Sequence, residues 1–519
     1  MSRSYLTRRG FLTGVGVGIA GVVVAACSSQ SAATPTQAPA AAAQPTKAAA
    51  QATTAPAAAK PTTAAAQATT APAGQTTTAP AGQGVPTGGQ TVSGSMVWLV
   101  RADVVENNGQ AKIYMPMFQQ QYPQLKVDRV VVPQNAPGGY NAKILTLAAA
   151  KQGLDLWGFG QNYMDFWARN MPQNLNSYVS ADKWDIANYF LPGLSDIYKI
   201  HGNQYGLPQD TCYGSPGVYN KDMFDKAGLS APPVDYDDTT WTMDKMLAYA
   251  QKMAANAGTP DATYGVNMGL QKQTDLSFLW GASSWMPDHY TNFIAPKSNF
   301  NNPANVAGHQ FIHDMMYKQK VHPDPSALQG LNALGDAFHT GKVGMDFDGG
   351  WMYWTMRNIT AFKLGYIALP YAKTDKAVNY DDQWIMARWS NNKDAVWAVM
   401  RTLCSVDGAT KYSVLSGSPP TPREATAPWL KQLSDFTGQP VADLDKVTSG
   451  GIVAKRTQES PDHLFIQWPN ISTTYSNKIT ALWNDPNATA DKVIPDVTAA
   501  LDTAIAQVYS EFNGQLPTD

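Results

Sequence analysis

The chain has 519 residues, with 38 Lys and Arg against 40 Asp and Glu and a formal charge of −2. That balance lacks the basic surplus on which nucleic-acid binding depends, so no nucleic-acid partner is expected. Residues 28–90 are mostly Ala, Thr, Pro, Gln and Gly, and all 15 Trp lie beyond them, so averages over the whole chain describe neither part.

The first 26 residues read as a signal peptide. Thr7-Arg8-Arg9-Gly10-Phe11-Leu12 places a twin arginine before an apolar, Gly-interrupted run at 15–26, shorter than the roughly 20 residues needed to span a bilayer. The run ends Val24-Ala25-Ala26-Cys27, which resembles the lipobox of bacterial lipoproteins and makes Cys27 the expected lipidated N-terminus. Two arginines suit the twin-arginine route, although general secretory signals also carry them. Residues 27–90 then form a tether. A ten-residue stretch at 48–57 recurs verbatim at 64–73, and a segment with no aromatic and almost no large apolar residue cannot bury enough surface to offset its ordering entropy. The first 90 residues hold five bases and no acid, so the remaining 429 residues carry 33 bases against all 40 acids. The expected folded body is mildly acidic, which disfavours a polyanionic ligand.

From residue 94 the pattern alternates. Residues 96–100 predict a strand, 110–122 a helix with Ile113, Met117 and Phe118 on one face, 126–132 a strand, 142–150 a helix and 154–159 a third strand. Such alternation specifies α/β architecture with mostly parallel sheets flanked by helices and a ligand crevice at the strand ends. Helices follow at 241–257, 395–406 and near the C-terminus, where Val497, Leu501, Ile505, Val508 and Phe512 form one stripe. Trp167, Trp241, Trp397 and Trp483 lie on apolar helical faces and are assigned to cores.

Tyr205-Gly206-Leu207-Pro208-Gln209-Asp210, followed by Tyr219-Asn220-Lys221-Asp222 and Gly228, resembles the central signature of extracellular solute-binding proteins of carbohydrate ABC importers, the maltose-binding-like family. Ala337-Phe338-His339-Thr340-Gly341-Lys342, Asp348-Gly349-Gly350-Trp351 and Leu364-Gly365-Tyr366-Ile367-Ala368-Leu369-Pro370 extend the resemblance in order. It departs at Leu154-Asp155, where the family usually places Pro before the Asp. The resemblance implies a two-lobed periplasmic-binding-protein fold of type II with a ligand cleft between the lobes. The first lobe would comprise 91–209 plus 371–417, the second 210–370 plus 418–519, with crossings near 208–211, 370–373 and 417–423. It also implies an extracytoplasmic monomer that passes its ligand to an ABC permease and needs no cofactor.

A neutral sugar asks for aromatic platforms under its C–H faces and planar polar groups for its hydroxyls. Carried over by matching motif, the candidates are Arg101, Asp103, Gln161, Asn162, Tyr163, Asp210 and Tyr213 in one group and Trp280, Trp285, Asp348 and Trp351 in another. Trp384, Trp468 and Tyr475 belong to a looser alignment. Asp103 could equally cap the following helix.

Rival chemistry finds less support. His309 and His313 stand at i, i+4, a spacing that can hold a metal, but position 310 is Gln and no acid cluster joins them, so a surface or half-buried helix face and no metal site are expected. A secreted glycoside hydrolase would also show Trp and paired carboxylates, yet only Glu106, Glu424, Glu459 and Glu511 are Glu, and none has an apolar, Trp-flanked setting. No catalytic residue is assigned. A sensory binding protein for a non-sugar solute stays as the third reading. Cys212 and Cys404 are expected as free, largely buried thiols, placed in different lobes.

Overall fold

The computed structural model describes residues 91–101, 109–133, 139–158, 163–212, 217–269, 276–333, 336–348, 352–374, 377–448, 457–459 and 465–516, all within one compact unit, 77–519. The expected signal peptide, Cys27 and the tether lie outside the described residues.

Strand β1 (Gly94–Arg101) starts the first sheet. A π turn, Gln110–Tyr114, leads into α1 (Met115–Gln121). Pro116 has no N–H to offer the Lys112 carbonyl, and the Met115 N–H reaches back five residues to the Gln110 carbonyl. That turn brings Tyr114 inward with Met117 and Phe118 and leaves the expected Ile113 half-buried. Strands β2 (Leu125–Val132) and β3 (Leu156–Gly158) flank β1 in parallel, with α2 (Gly139–Ala150) between them in sequence. β1 shows the period of a strand covered on both faces: Met96, Trp98 and Val100 enter one core with Phe118 and Trp397, and Leu99 enters the opposite core with Ile144 and Trp157. Strand β4 (Leu207–Cys212) completes the first pass.

The chain passes to a second sheet between Cys212 and Gly217. Strand β5 (Gly217–Asn220) runs into α3 (Lys221–Ala227), whose first turn is capped by Asn220 and whose end is set by Gly228 at φ 65°. Helix α4 (Met243–Met253) is shorter at both ends than the predicted 241–257. The Thr242 side chain caps it, and Trp241 turns inward to donate from Nε1 to the Ala368 carbonyl at 3.0 Å. Strand β6 (Tyr264–Asn267), helix α5 (Pro303–Tyr317), strand β7 (Val343–Asp346), the short α6 (Met352–Met356) and strand β8 (Leu364–Ile367) follow. The sheet order is β8-β5-β7-β6. β6 and β7 are parallel, whereas β5 is antiparallel to both its neighbours; β5 enters from the other sheet, free of the crossover geometry that makes neighbouring strands parallel.

Strand β9 (Ala377–Met386) returns to the first sheet, antiparallel to β3 and β4. Helices α7 (Lys393–Leu403), buried from Ala395 to its end, and α8 (Val406–Ser416) cover that sheet. The chain then crosses to α9 (Thr426–Thr437), whose Trp429, Leu430 and Leu433 share a core with β8. Strand β10 (Thr457–Glu459) pairs in parallel with β9. Helices α10 (Trp468–Trp483) and α11 (Ala490–Glu511) close the chain.

Three features correct the expected lobe boundaries. Residues 208–211 lie inside β4 on the first sheet, so the first crossing comes later. β10, expected in the second lobe, sits on the first sheet. The 22 residues of α11 run about 33 Å and serve both lobes, with Ile494, Val497, Leu501 and Ile505 in the second-lobe core and Val508 and Phe512 against the first. The thiol expectation shifts too, because β4 puts Cys212 on the same lobe as Cys404. Cys404 is free and buried, and burial holds its pKa far above the ordinary thiol value. Trp167, Trp241, Trp397 and Trp483 are buried.

Candidate functional site

β1 and β3 end at the edge of the first sheet where β9 begins, and β6 and β7 end together at one edge of the second sheet. At the end of β3, Gly158 is a site of close approach: a Cβ there would lie 2.2 Å from Gln209 Oε1 and 2.3 Å from the Trp384 ring. Gln209 and Trp384 therefore cover the strand end, and the Tyr140 hydroxyl, 2.9 Å from both the Leu99 and Gly158 carbonyls, pins β1 to β3 beneath them. Arg101, the last residue of β1, is half-buried.

On the second lobe, Asp348 follows β7 and Gly269 follows β6. A Cβ on Gly269 would lie 3.2 Å from Asp348 Cγ, so the carboxyl group rests directly on that backbone. The strand ends below are fixed by buried polar bonds. Asn267 Nδ2 donates to Asp346 Oδ1 at 2.9 Å, and His322 Nε2 accepts the Met268 N–H at 3.0 Å. Since that nitrogen accepts, His322 carries its proton on Nδ1 and donates to the Pro323 carbonyl at 2.7 Å.

Trp280 ends a 3₁₀ turn, Leu276–Trp280. It is half-buried and tilted 53° against Phe311 with ring centroids 5.6 Å apart. The Lys373 and Thr374 N–H groups both donate to the Leu279 carbonyl, at 2.9 and 3.1 Å, tying this turn to the second crossing. Between the turn and that crossing lies a cavity of about 420 Å³ lined by Phe278, Ser283, Trp285, Tyr290 and Thr374 among others, with no charged side chain on its wall. Ser283 Oγ and the Tyr290 hydroxyl are 2.8 Å apart. Trp285 is otherwise enclosed, edge-on to Phe465 at 4.7 Å and to the half-buried Trp468 at 5.9 Å.

The structure thus groups Trp280, Trp285 and Trp468 on one lobe and adds Phe278, Tyr290 and Thr374, which carry no motif and could be found only by tertiary proximity. It sends other candidates inward. Tyr163 is buried, donates its hydroxyl to the Tyr198 carbonyl at 2.9 Å, and burial drives its pKa well above the ordinary value. Trp384 is 3% exposed and edge-on to Trp98. Tyr475 is 6% exposed, its hydroxyl 3.3 Å from His309 Nε2. Each was expected in the cleft, and each fills a core because a long-range partner that sequence spacing does not show encloses it. Asp210 is 2% exposed and accepts a hydrogen bond from Ser418. Asp103, Gln161, Asn162, Tyr213 and Trp351 lie outside the described residues.

The histidine pair is buried rather than on a surface. His309 Nδ1 bonds the Asn305 carbonyl at 2.8 Å and His313 Nε2 the Asp485 carbonyl at 2.9 Å. Those bonds turn the two rings to different partners. Among the described residues no group of three His, Cys, Asp or Glu could hold a metal, and no helix is long and apolar enough to cross a membrane.

The family model for bacterial extracellular solute-binding proteins matches residues 102–410. A binding protein of Brucella abortus is 24% identical over 400 residues, covering 75% of this chain and 88% of its own. An ABC substrate-binding protein of Listeria monocytogenes, solved with cycloalternan, is similar with a TM-score of 0.65 at 18% identity over 80% of this chain and 99% of that one. The cyclic α-maltosyl-1,6-maltose binding protein of Arthrobacter globiformis gives 0.62 at 16% identity over 80% and 100%. The two sheets, joined by repeated crossings, have the two-lobed architecture of type II periplasmic binding proteins. With more than half of its length matched, the chain belongs to the bacterial extracellular solute-binding protein family.

Proposed function

We propose that this protein captures a neutral sugar or oligosaccharide between its lobes and delivers it, chemically unchanged, to an ABC permease. The observation that carries the reading is on the second lobe, where a cavity lined by Phe278, Tyr290, Ser283 and Thr374 is edged by hydroxyls and free of charge, and the half-buried Trp280 ends the turn that carries Phe278. Aromatic faces and hydroxyl-matching groups are what a neutral sugar requires. The sugars named for the Listeria and Arthrobacter proteins point the same way. Arg101, Asp103, Gln161, Asn162, Tyr213, Asp348 and Trp351 are proposed as the polar and stacking groups of the cleft itself. Cys27 is proposed as the lipid attachment site that holds a monomer at the membrane by the tether.

Calorimetric titration with a panel of linear and cyclic gluco-oligosaccharides tests the reading. Saturable heat with at least one of them is expected, and silence across the panel would remove sugars as the ligand class. Trp280→Ala should weaken that binding about tenfold or more while shifting the melting temperature little, because the indole is only half-buried. Equal affinity with a lowered melting temperature would return Trp280 to a packing role.

A further inference from the structure

Asp210 links strands of the first sheet to the start of the third interlobe crossing. It lies in β4, which leads into the first crossing, and in strand register faces Asp382 of β9, which follows the second. Its Oδ2 accepts the Ser418 hydroxyl at 3.0 Å, and Ser418 opens the third crossing. Two residues earlier the Pro208 carbonyl accepts Thr421 Oγ1 at 3.3 Å. Asp210, Ser418 and Thr421 are 2%, 1% and 1% exposed. Breaking a charge-assisted bond in such a dry setting leaves a buried carboxylate short of a donor, which costs more than the bond's net worth. The contact is therefore costly to break.

We propose that Asp210 and Ser418 are positioning residues of the lobe motion. They bind β4, which leads into the first crossing, and the start of the third crossing to the first sheet as one plate that moves with that lobe. This rests on the family's two-lobed architecture and not on the identity of the solute, and its test needs no ligand.

Bio-orthogonal dyes at positions 143 and 245, exposed on α2 and α4, report the interlobe distance in single ligand-free molecules. Asp210→Ala and Ser418→Ala are each expected to broaden the distance distribution and shift its mean, and the double variant should fall short of the sum of the two because both remove the same Asp210–Ser418 bond. Asp210→Asn and Ser418→Thr, which keep acceptor and hydroxyl, should restore the native distribution. A purely structural role would lower the melting temperature and leave the distribution unchanged, and that outcome would overturn the proposal. So would a change in the Asp210 variant alone, which would mark Asp210 as acting through some other group. If Asp210→Ala does not fold, Ser418→Ala and Ser418→Thr decide the matter.

Discussion

Gly265→Ala is expected to destabilise the protein by about 3–5 kcal/mol, near the top of the range for a single substitution. Helix α4 crosses β6 at this point with its backbone in contact. A Cβ on Gly265 would lie 2.1 Å from the Ala250 carbonyl oxygen and 2.2 Å from Ala250 Cα. Both obstructing atoms are main chain, so no rotamer change relieves the clash, and the helix must lift from the sheet. Gly265 cannot retreat easily, since its N–H is bonded to the Val321 carbonyl at 2.9 Å. Gly330, in an exposed stretch of the helix Pro325–Asn332 with nothing within 4 Å of a built Cβ, supplies the contrast: Ala there should be neutral or stabilising by about 0.5–1 kcal/mol. Denaturant unfolding of both variants measures the difference. A native-like midpoint for Gly265→Ala would show that α4 does not rest on β6 as described.

Acidification should weaken the second lobe well before the carboxylates titrate. His309 lies between Asn305 and Tyr475 with its ring parallel to Trp483 at 5.4 Å, and His289 is stacked on Phe465 at 4.2 Å. Burial pushes both imidazoles down to about 4, with a nearby backbone carbonyl opposing in each case. A histidine held below its unfolded value of about 6.5 binds fewer protons in the folded state. Its contribution is then complete above pH 6.5 and is lost as pH falls towards 4. Between pH 7 and pH 5 each should cost about 2 kcal/mol, so about 4 kcal/mol together. His339 runs the other way, raised by its hydrogen bond to Asp336, but it is partly exposed and offsets little. His289→Phe keeps the stacking surface and should remove roughly half of the slope. A flat stability profile from pH 7 to pH 5 would mean that these rings are solvated.

Much of this architecture is legible because it is local. Asn220 and Gly228 bracket α3 as cap and stop signal, the apolar run at 96–100 lies in β1, and the stripe Val497, Leu501, Ile505 and Val508 is one face of α11. What sequence spacing could not show is contact across the chain. Asp210 looks like a cleft carboxylate until Ser418, 208 residues away, is found against it. Trp285 and Tyr475 look like platforms until Phe465 and His309 close over them. Trp384 looks available until Gly158, lacking a side chain, lets its ring rest against the strand end. The apolar stripe of α11 is readable, but its reach over both lobes depends on how far apart the cores stand, which no periodicity encodes. Trp280 and Trp468 kept partial exposure and remain the most accessible of the described stacking candidates.

The central claim is capture of a solute by closure between two lobes. Small-angle X-ray scattering of the protein alone and saturated with the tightest-binding oligosaccharide of the panel tests it most directly. A smaller radius of gyration with the sugar bound, at unchanged molecular mass, is the predicted result. Saturated binding with an unchanged radius of gyration would contradict closure and place the ligand outside the cleft.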